Sequence, residues 1–523
     1  MTRKKKNDRW RRFAGGRGVF LRGDRMEYLV NAREMKNCDK NTIEFYKMSS
    51  DVLMERAALA VAEKIRQQGY DTTQVLVVCG TGNNGGDGAA VARILYEQGV
   101  SARILLTDAS HAYSDGMKNQ LAIAKNYGVP ILTEWEEDAD TLIVDAIFGI
   151  GLSRQIEGKT ADLIRKINEK NVPVVAVDIA SGISADNGAV LSCAVKADMT
   201  VTFAFKKLGQ LLYPGADYTG KLFVCDIGIT KKSWLEKKPS YFALEKEDLK
   251  SLPKRENRSN KGSYGKVLLI AGSPDMGGAA VFASAAAYAS GCGLVKVVTA
   301  EENRTALLTK VPEAILSTYA GKKFDRNELI TSVKWADVVA IGPGIGTDTV
   351  AREMVKTVLE VAAVPIVMDA DALNILSEDI NVLLRPHTEL IVTPHPGEMA
   401  RLAGASVSYV KDNLIAQAEE FARTYNVICV LKDARTVCAI PYGKTYLNLT
   451  GNHGMATAGS GDVLCGLIAG LTAQGIQPES AAPLGVYIHG LAGDIMAKKT
   501  GYHGLMAGDL PAGIKKVMKK FEI

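Results

Sequence analysis

The chain has 523 residues, 47% hydrophobic and 23% charged, the balance of an ordinary globular protein too long for a single hydrophobic core. The formal net charge of +5 is concentrated in residues 1–25, so the remaining chain is slightly acidic and gives no basis for a nucleic-acid binder. No uninterrupted apolar stretch approaches the roughly 18 residues of a membrane span, and the eight cysteines are scattered without metal-ligand spacing, as reduced thiols of a cytoplasmic protein would be.

The chain opens on a basic arm: Arg3, Lys4, Lys5, Lys6, Arg9, Arg11, Arg12, Arg17, Arg22 and Arg25 against Asp8 and Asp24. It has no apolar stretch of the signal-peptide kind. It reads as a disordered tail over 1–25, or as sequence ahead of a start at Met26. The pattern next predicts an amphipathic helix over Thr42–Arg66, with Leu53, Ala57, Val61 and Ile65 on one stripe. The apolar strand candidates that follow are Val75–Cys79, Ala102–Leu106, Leu142–Asp145, Val174–Asp178, Met199–Phe203 and Leu222–Asp226, separated by helix-length segments. That alternation implies a parallel sheet covered by helices on both faces.

Composition shifts to Lys, Glu, Ser and Asn around Thr230–Lys261, and a linker is expected over 236–262 between domains 26–235 and 263–523. The alternation then restarts at Val267–Ala271 and continues through Leu294–Thr299, Val338–Ile341, Ile366–Asp369, Leu390–Thr393 and Val427–Leu431. The halves share no internal repeat. The expected architecture is α/β in two domains, the first a Rossmann-like doubly wound sheet.

Each half carries a glycine-rich loop that opens a helix. In the first, Gly80–Gly88 (GTGNNGGDG) follows a strand and satisfies G-x-G-x-x-G, the dinucleotide fingerprint. Asn83, Asn84 and Asp87 add oxygen donors where a pyrophosphate loop uses bare backbone, which suits a hard cation or a polar substrate. Asp145 and Asp178 end two further strands, with Ser181 just beyond, and ligands bind at carboxyl ends of strands in such sheets. The plainer reading of each Asp is a turn or helix cap.

With GNNGGDG, VDAIFGIG (Val144–Gly151), VDIASG (Val177–Gly182), LMERAA (Leu53–Ala58) and LYPGADYTG (Leu212–Gly220), the first half resembles NAD(P)H-hydrate epimerase over about Met26–Ile229. The resemblance implies that Asn83, Asn84, Gly85, Gly86, Asp87, Gly149, Ile150, Gly151, Leu152, Ser153, Arg154, Gln155 and Asp178 bind the hydrated nicotinamide nucleotide. It also implies that Asn84, Asp145 and Ser181 hold potassium. Inverting the hydroxylated carbon beside the ring nitrogen needs a proton shuttle and no hydride acceptor, and Asp145 is the candidate for that shuttle.

In the second half, Ala458–Asp462 (AGSGD) offers N–H groups of Gly459, Ser460 and Gly461 to a transferring phosphoryl group. Asp462 is placed to take a proton from a substrate hydroxyl. No GxxxxGK[ST] loop is present, which excludes a Walker-type NTPase. Further candidates are Gly342–Gly346 (GPGIG), Lys432–Thr436 (KDART) and His395 within TPHPGE. These motifs, with GSPDMGGAAVFASAAA (Gly272–Ala287) and MDADALN (Met368–Asn374), resemble the ribokinase-like superfamily and, within it, NAD(P)H-hydrate dehydratase over about Ser251–Lys519. That resemblance implies that Lys432, Asp433, Ala434, Arg435, Thr436 and Gly461 bind ADP or ATP with Mg²⁺. It further implies that Ala279 or Ala280, Gly344, His395 and Asp462 contact the hydrate. Asp433 departs from the family, which carries a small residue there.

The reading is a fused repair enzyme: one domain interconverts the R and S hydrates of NADH and NADPH, and the other dehydrates the S form through a phosphorylated intermediate. Its expected partners are these small molecules, with no nucleic acid and no membrane, and it is expected to be a homo-oligomer. A small-alcohol kinase fused to a non-catalytic Rossmann-like module is the other reading of the same motifs.

Overall fold

The computed structural model describes residues 26–108, 112–135, 140–321, 323–385 and 388–521; the basic arm of 1–25 lies outside them. The apolar runs become the strands of two compact units, Tyr28–Ser240 and Tyr241 onward. They are buried on both faces, which is why they read as continuous hydrophobic stretches rather than alternating ones.

In the first unit the elements are β1 (Glu27–Val30), α1 (Ala32–Glu44), α2 (Ser50–Gln68), β2 (Gln74–Cys79), α3 (Asn83–Glu97), β3 (Ser101–Leu106), α4 (Asp115–Asn126), β4 (Ile131–Leu132), β5 (Leu142–Ala146), α5 (Gly158–Glu169), β6 (Val174–Val177), β7 (Met199–Phe203), β8 (Lys206–Lys207), α6 (Gly215–Thr219) and β9 (Lys221–Cys225). Seven strands form one sheet in the order β4-β3-β2-β5-β6-β7-β9, and every pairing is parallel. The chain leaves β2 toward β3 on one side and later returns to β5 on the other. The strand order therefore reverses between β2 and β5, and a crevice opens at their carboxyl ends.

The helix expected over Thr42–Arg66 is two helices. Asn31 and Glu34 close a capping box at the start of α1, a signature that lies upstream of the apolar stripe. The chain breaks after Glu44, Lys47 turns through φ 60°, and Ser49 caps α2 by accepting from the Val52 N–H. Leu53, Ala57, Val61 and Ile65 are all buried on α2.

The second unit contains β10 (Tyr241–Ala243), β11 (Lys266–Ile270), α7 (Gly277–Ala289), β12 (Leu294–Ala300), α8 (Arg304–Lys310), β13 (Ile315–Tyr319), α9 (Arg326–Trp335), β14 (Val338–Ile341), α10 (Thr349–Val361), β15 (Ile366–Met368), α11 (Asp371–Leu376), β16 (Leu390–Val392), α12 (Pro396–Ala403), α13 (Val407–Asp412), α14 (Leu414–Tyr425), β17 (Ile428–Leu431), β18 (Val437–Ala439), β19 (Thr445–Leu447), α15 (Ser460–Ala473), α16 (Pro478–Thr500) and α17 (Leu510–Phe521). Its strands run β13-β12-β11-β14-β15-β16-β17-β18-β19-β10, parallel as far as β17. Strands β17, β18 and β19 are antiparallel neighbours, so Lys432–Thr436 form the turn of a hairpin rather than a strand-to-helix loop.

The segment expected as linker is structured. Tyr241–Ala243 pair in parallel with β19, and Asp248 and Leu249 are buried. Just before it, Trp234 packs 4.2 Å from Tyr28 and 5.5 Å from Phe205, measured between ring centroids.

Candidate functional sites

The glycines of the first loop are demanded by packing. A side chain at Gly80 would put its Cβ 1.9 Å from the Ile147 carbonyl oxygen, and one at Gly85 would lie 1.9 Å from the Gly80 carbonyl oxygen. At Gly88 it would lie 2.4 Å from Ala146 Cβ. These three residues seat α3 against the ends of β2 and β5, whatever ligand the loop meets. Gly82 is the N-cap of α3, so Asn83 and Asn84 occupy its first turn.

A cavity of about 660 Å³ opens at this crevice, a volume suited to a nucleotide-sized ligand. Asn83, Asn84, Asp87, Asp178 and the stretch from Gly149 to Arg154 line it, whereas Gly85, Gly86 and Gln155 do not. Gly85 and Gly86 are buried within α3, and Gln155 accepts from the Ser192 hydroxyl at 2.7 Å.

Asp178 follows β6 with φ 65°, a left-handed conformation rare outside glycine. Its carbonyl accepts from Gln210 Nε2 at 2.6 Å. Its Oδ1 accepts from Lys207 Nζ at 2.5 Å, Thr202 Oγ1 at 3.0 Å and the Phe203 N–H at 3.3 Å. The Lys207 side chain has no exposure, while that of Asp178 retains 12%. Both residues line the cavity, and the carboxylate is the more exposed of the two. Burial, then the Asp178 charge, pushes the Asp39 and Asp87 carboxyls up from their ordinary values.

The shuttle expected at Asp145 does not reach the cavity. Asp145 is wholly buried and outside the lining. Its Oδ1 accepts from the Ser181 hydroxyl at 2.6 Å and the Ile147 N–H at 3.2 Å, and its Oδ2 from the Ser181 N–H at 2.8 Å. Burial raises its pKa to about 6, against the pull of those three donors. The carboxyl is therefore closed off from the cavity in this structure.

Its surroundings fit a potassium ion instead. Ser181 Oγ accepts from the Phe148 N–H at 2.8 Å, while the Asn84 side chain packs against Gly149 on the same turn. Asn84 Nδ2 is buried with no hydrogen-bond partner. Turning that amide over would place a buried carbonyl oxygen there instead. Such hard oxygen donors suit an alkali cation.

In the second unit the helix α15 begins at Ser460, so Gly461 and Asp462 sit in its first turn. A Cβ at Gly461 would lie 3.3 Å from Lys432 Nζ and 3.7 Å from Asp369 Oδ2. The helix N-terminus therefore abuts an ion pair: Lys432 Nζ donates to Asp369 Oδ1 at 2.6 Å. The Asp369 side chain is 1% exposed and that of Lys432 is 20% exposed, so the lysine is the more accessible partner. Burial lifts Asp462 to about 7, Asp369 adds to the rise, and Lys432 opposes it. Glu398 is raised by burial beside the same pair.

His395 caps α12. Its Nδ1 accepts from the Gly397 N–H at 2.9 Å and the Glu398 N–H at 3.3 Å, and its N–H donates to Glu398 Oε2 at 2.8 Å. Half of the ring remains exposed. Gly344 adopts φ 60°, and a Cβ there would lie 3.0 Å from Ala279 Cβ. Ala280 is wholly buried and presents no surface, so the contact expected of either alanine falls to Ala279. In the hairpin turn Asp433 and Ala434 are exposed, Arg435 is half-buried and Thr436 is buried.

Sequence reasoning gave no role to Asp39, Lys207, Asp369 or Glu398. Lys207 left a readable trace, as one of two adjacent lysines, Lys206 and Lys207, inside the largely apolar Phe203–Leu212 run. Asp39 left none, because a polar residue on an amphipathic helix reads as solvent-facing.

Residues 50–209 match the family model described as the YjeF-related protein N-terminus, and residues 267–516 match that described as NAD(P)H-hydrate dehydratase. The bifunctional NAD(P)H-hydrate repair enzyme Nnr of Moorella thermoacetica is 41% identical over 515 residues, covering 95% of this chain and 97% of that protein. The enzyme of the same name from Thermofilum pendens is 36% identical, covering 94% and 97%. A crystallised ADP/ATP-dependent NAD(P)H-hydrate dehydratase from Bacillus subtilis, obtained with ATP/Mg²⁺, is 32% identical with a TM-score of 0.47 and covers 54% of this chain and 98% of that one.

Proposed function

The chain belongs to the bifunctional NAD(P)H-hydrate repair enzymes, and from that premise we propose how its two sites divide the work. The activities are epimerisation of the hydrates in the first unit and nucleotide-dependent dehydration in the second. The observation that carries the division is the opposite orientation of the two Lys–Asp pairs. The aspartate is the more accessible partner in the first pair and the lysine is in the second.

In the first reaction the nitrogen lone pair expels the hydroxyl from the neighbouring carbon and leaves a cationic ring. A cavity that presents Asp178 stabilises that charge. Asn83, Asn84, Asp87 and the Gly149–Arg154 stretch hold the nucleotide. Asn84, Asp145 and Ser181 would hold potassium, whose charge would anchor the turn after β5 and neutralise Asp145. In the second reaction Asp462 takes the proton of the substrate hydroxyl, which accepts a phosphoryl group from the magnesium–nucleotide complex. Lys432, which keeps part of its side chain accessible, and the Gly461 N–H at the helix start meet the charge that develops on the phosphoryl oxygens. Lys432–Thr436 bind the nucleotide, and Ala279, Gly344 and His395 position the hydrate. Phosphate then leaves more readily than hydroxide, and loss of a proton restores the dihydropyridine.

ADP is the proposed donor. The exposed Phe45, Tyr46, Val52 and Leu59 on and between α1 and α2 support a homo-oligomer built through that face. No helix among the described residues is long and apolar enough to cross a membrane, and the eight free thiols fit a cytoplasmic setting. The test is incubation with heat-prepared NADH hydrate and either ADP or ATP. Recovery of the NADH absorbance is expected, and no recovery with both nucleotides would sink the reading.

A further inference from the structure

Epimerisation needs a proton donor at the departing hydroxyl, and a cavity carboxyl that arrives protonated would supply it. Asp178 is already engaged, with the Lys207 ammonium, the Thr202 hydroxyl and the Phe203 N–H all pointing at its Oδ1. Asp145 is sealed below the cavity. Asp39 differs. It stands on α1, one turn beyond Met35 and Lys36, and all three line the cavity. No hydrogen bond or ion pair among the described residues holds its side chain. Burial raises its pKa, with the Asp178 charge adding to the effect.

The charged groups of this cavity come from several elements: Asp87 on α3, Asp178 after β6, Lys207 on β8, Arg154 after β5, and Lys36 on the same helix. Among the described residues Asp87 also has no hydrogen-bonding partner, and it is raised by burial and then by Asp178 and Asp39. Two carboxyls in mutual repulsion hold a proton between them more readily than either does alone.

We propose that Asp39 is a catalytic residue of the epimerase cavity, handing a proton to the departing hydroxyl and recovering it from the incoming water. The inference rests on the epimerase reading above. The carboxyl O–H breaks as its proton joins the hydroxyl oxygen, the C–O bond breaks, and water leaves. The nitrogen lone pair becomes the C=N bond of the cationic ring. Water adds to the opposite face, the pair returns to nitrogen, and the surplus proton goes back to Asp39. No oxidant or reductant enters.

The test uses full-length protein and purified R hydrate without nucleotide, followed by chromatography for the wild type, Asp39→Asn, Asp39→Glu and Asp87→Asn. Asp39→Asn lowers kcat on the order of 100-fold with KM held within about threefold, and Asp39→Glu recovers part of the rate. Dehydration of S hydrate with ADP is unchanged. Because burial raises Asp39, its ionised form costs stability above its folded pKa, so Asp39→Asn does not lower thermal stability at neutral pH. A kcat within about threefold of wild type in Asp39→Asn would overturn the inference, as would a rise in KM alone, or a kcat loss confined to Asp87→Asn. A wild type that leaves R hydrate unchanged would instead overturn the epimerase reading.

Discussion

The two units solve one packing problem with opposite electrical results. Each starts a helix from a glycine-rich loop at the carboxyl ends of parallel strands, and each holds a lysine–aspartate pair at its candidate site. In the first the lysine is the buried partner, and in the second the aspartate is. The sign offered to the ligand depends on which partner keeps its exposure, and the helix N-terminus alone does not set it. A cationic ring suits the first centre, and a transferring phosphoryl group suits the second.

The largest effect that would break this contrast concerns Asp462. Asp462→Asn is expected to lower S-hydrate dehydration roughly a thousandfold while R/S interconversion continues, read by chromatography with and without ADP. The pairs themselves come next. Asp178→Asn strands a wholly buried ammonium and should lower stability of the first unit by about 3–5 kcal/mol. Asp369→Asn leaves Lys432 with its partial exposure and should cost the second unit clearly less, as denaturant unfolding of each variant would show. Equal losses would mean that the two pairs are not inverted.

Smaller is the pH effect. Asp462 must be ionised to accept a proton, and burial holds its pKa at about 7. Dehydration should therefore rise with pH through about 7 and level off above it, and a rate flat from about pH 6 to about pH 8 would contradict the assignment. Smallest is His395→Ala, which removes the cap of α12 and should cost about 1 kcal/mol in unfolding.

The sheets were legible because their strands are buried on both faces. Val75–Cys79, Val338–Ile341 and their neighbours were read within a residue or two of their true limits. The short strands β1, β8 and β10 carry no such run and passed unread. The glycine loops were visible too, although Gly80, Gly85 and Gly88 serve close packing of α3. Residue proximity across the chain was not legible. Lys207 lies 29 residues from Asp178, and Lys432 lies 63 from Asp369, and neither separation has a local signature. Asp145 shows the opposite failure: its strand-end position suggested access to the cavity, and only burial reveals that Ser181 seals it.

The division of labour is tested most directly by giving Asp462→Asn purified R hydrate and ADP and following both epimers and NADH. S hydrate should appear and accumulate with no NADH formed. NADH formation, or R hydrate that never converts, would contradict it.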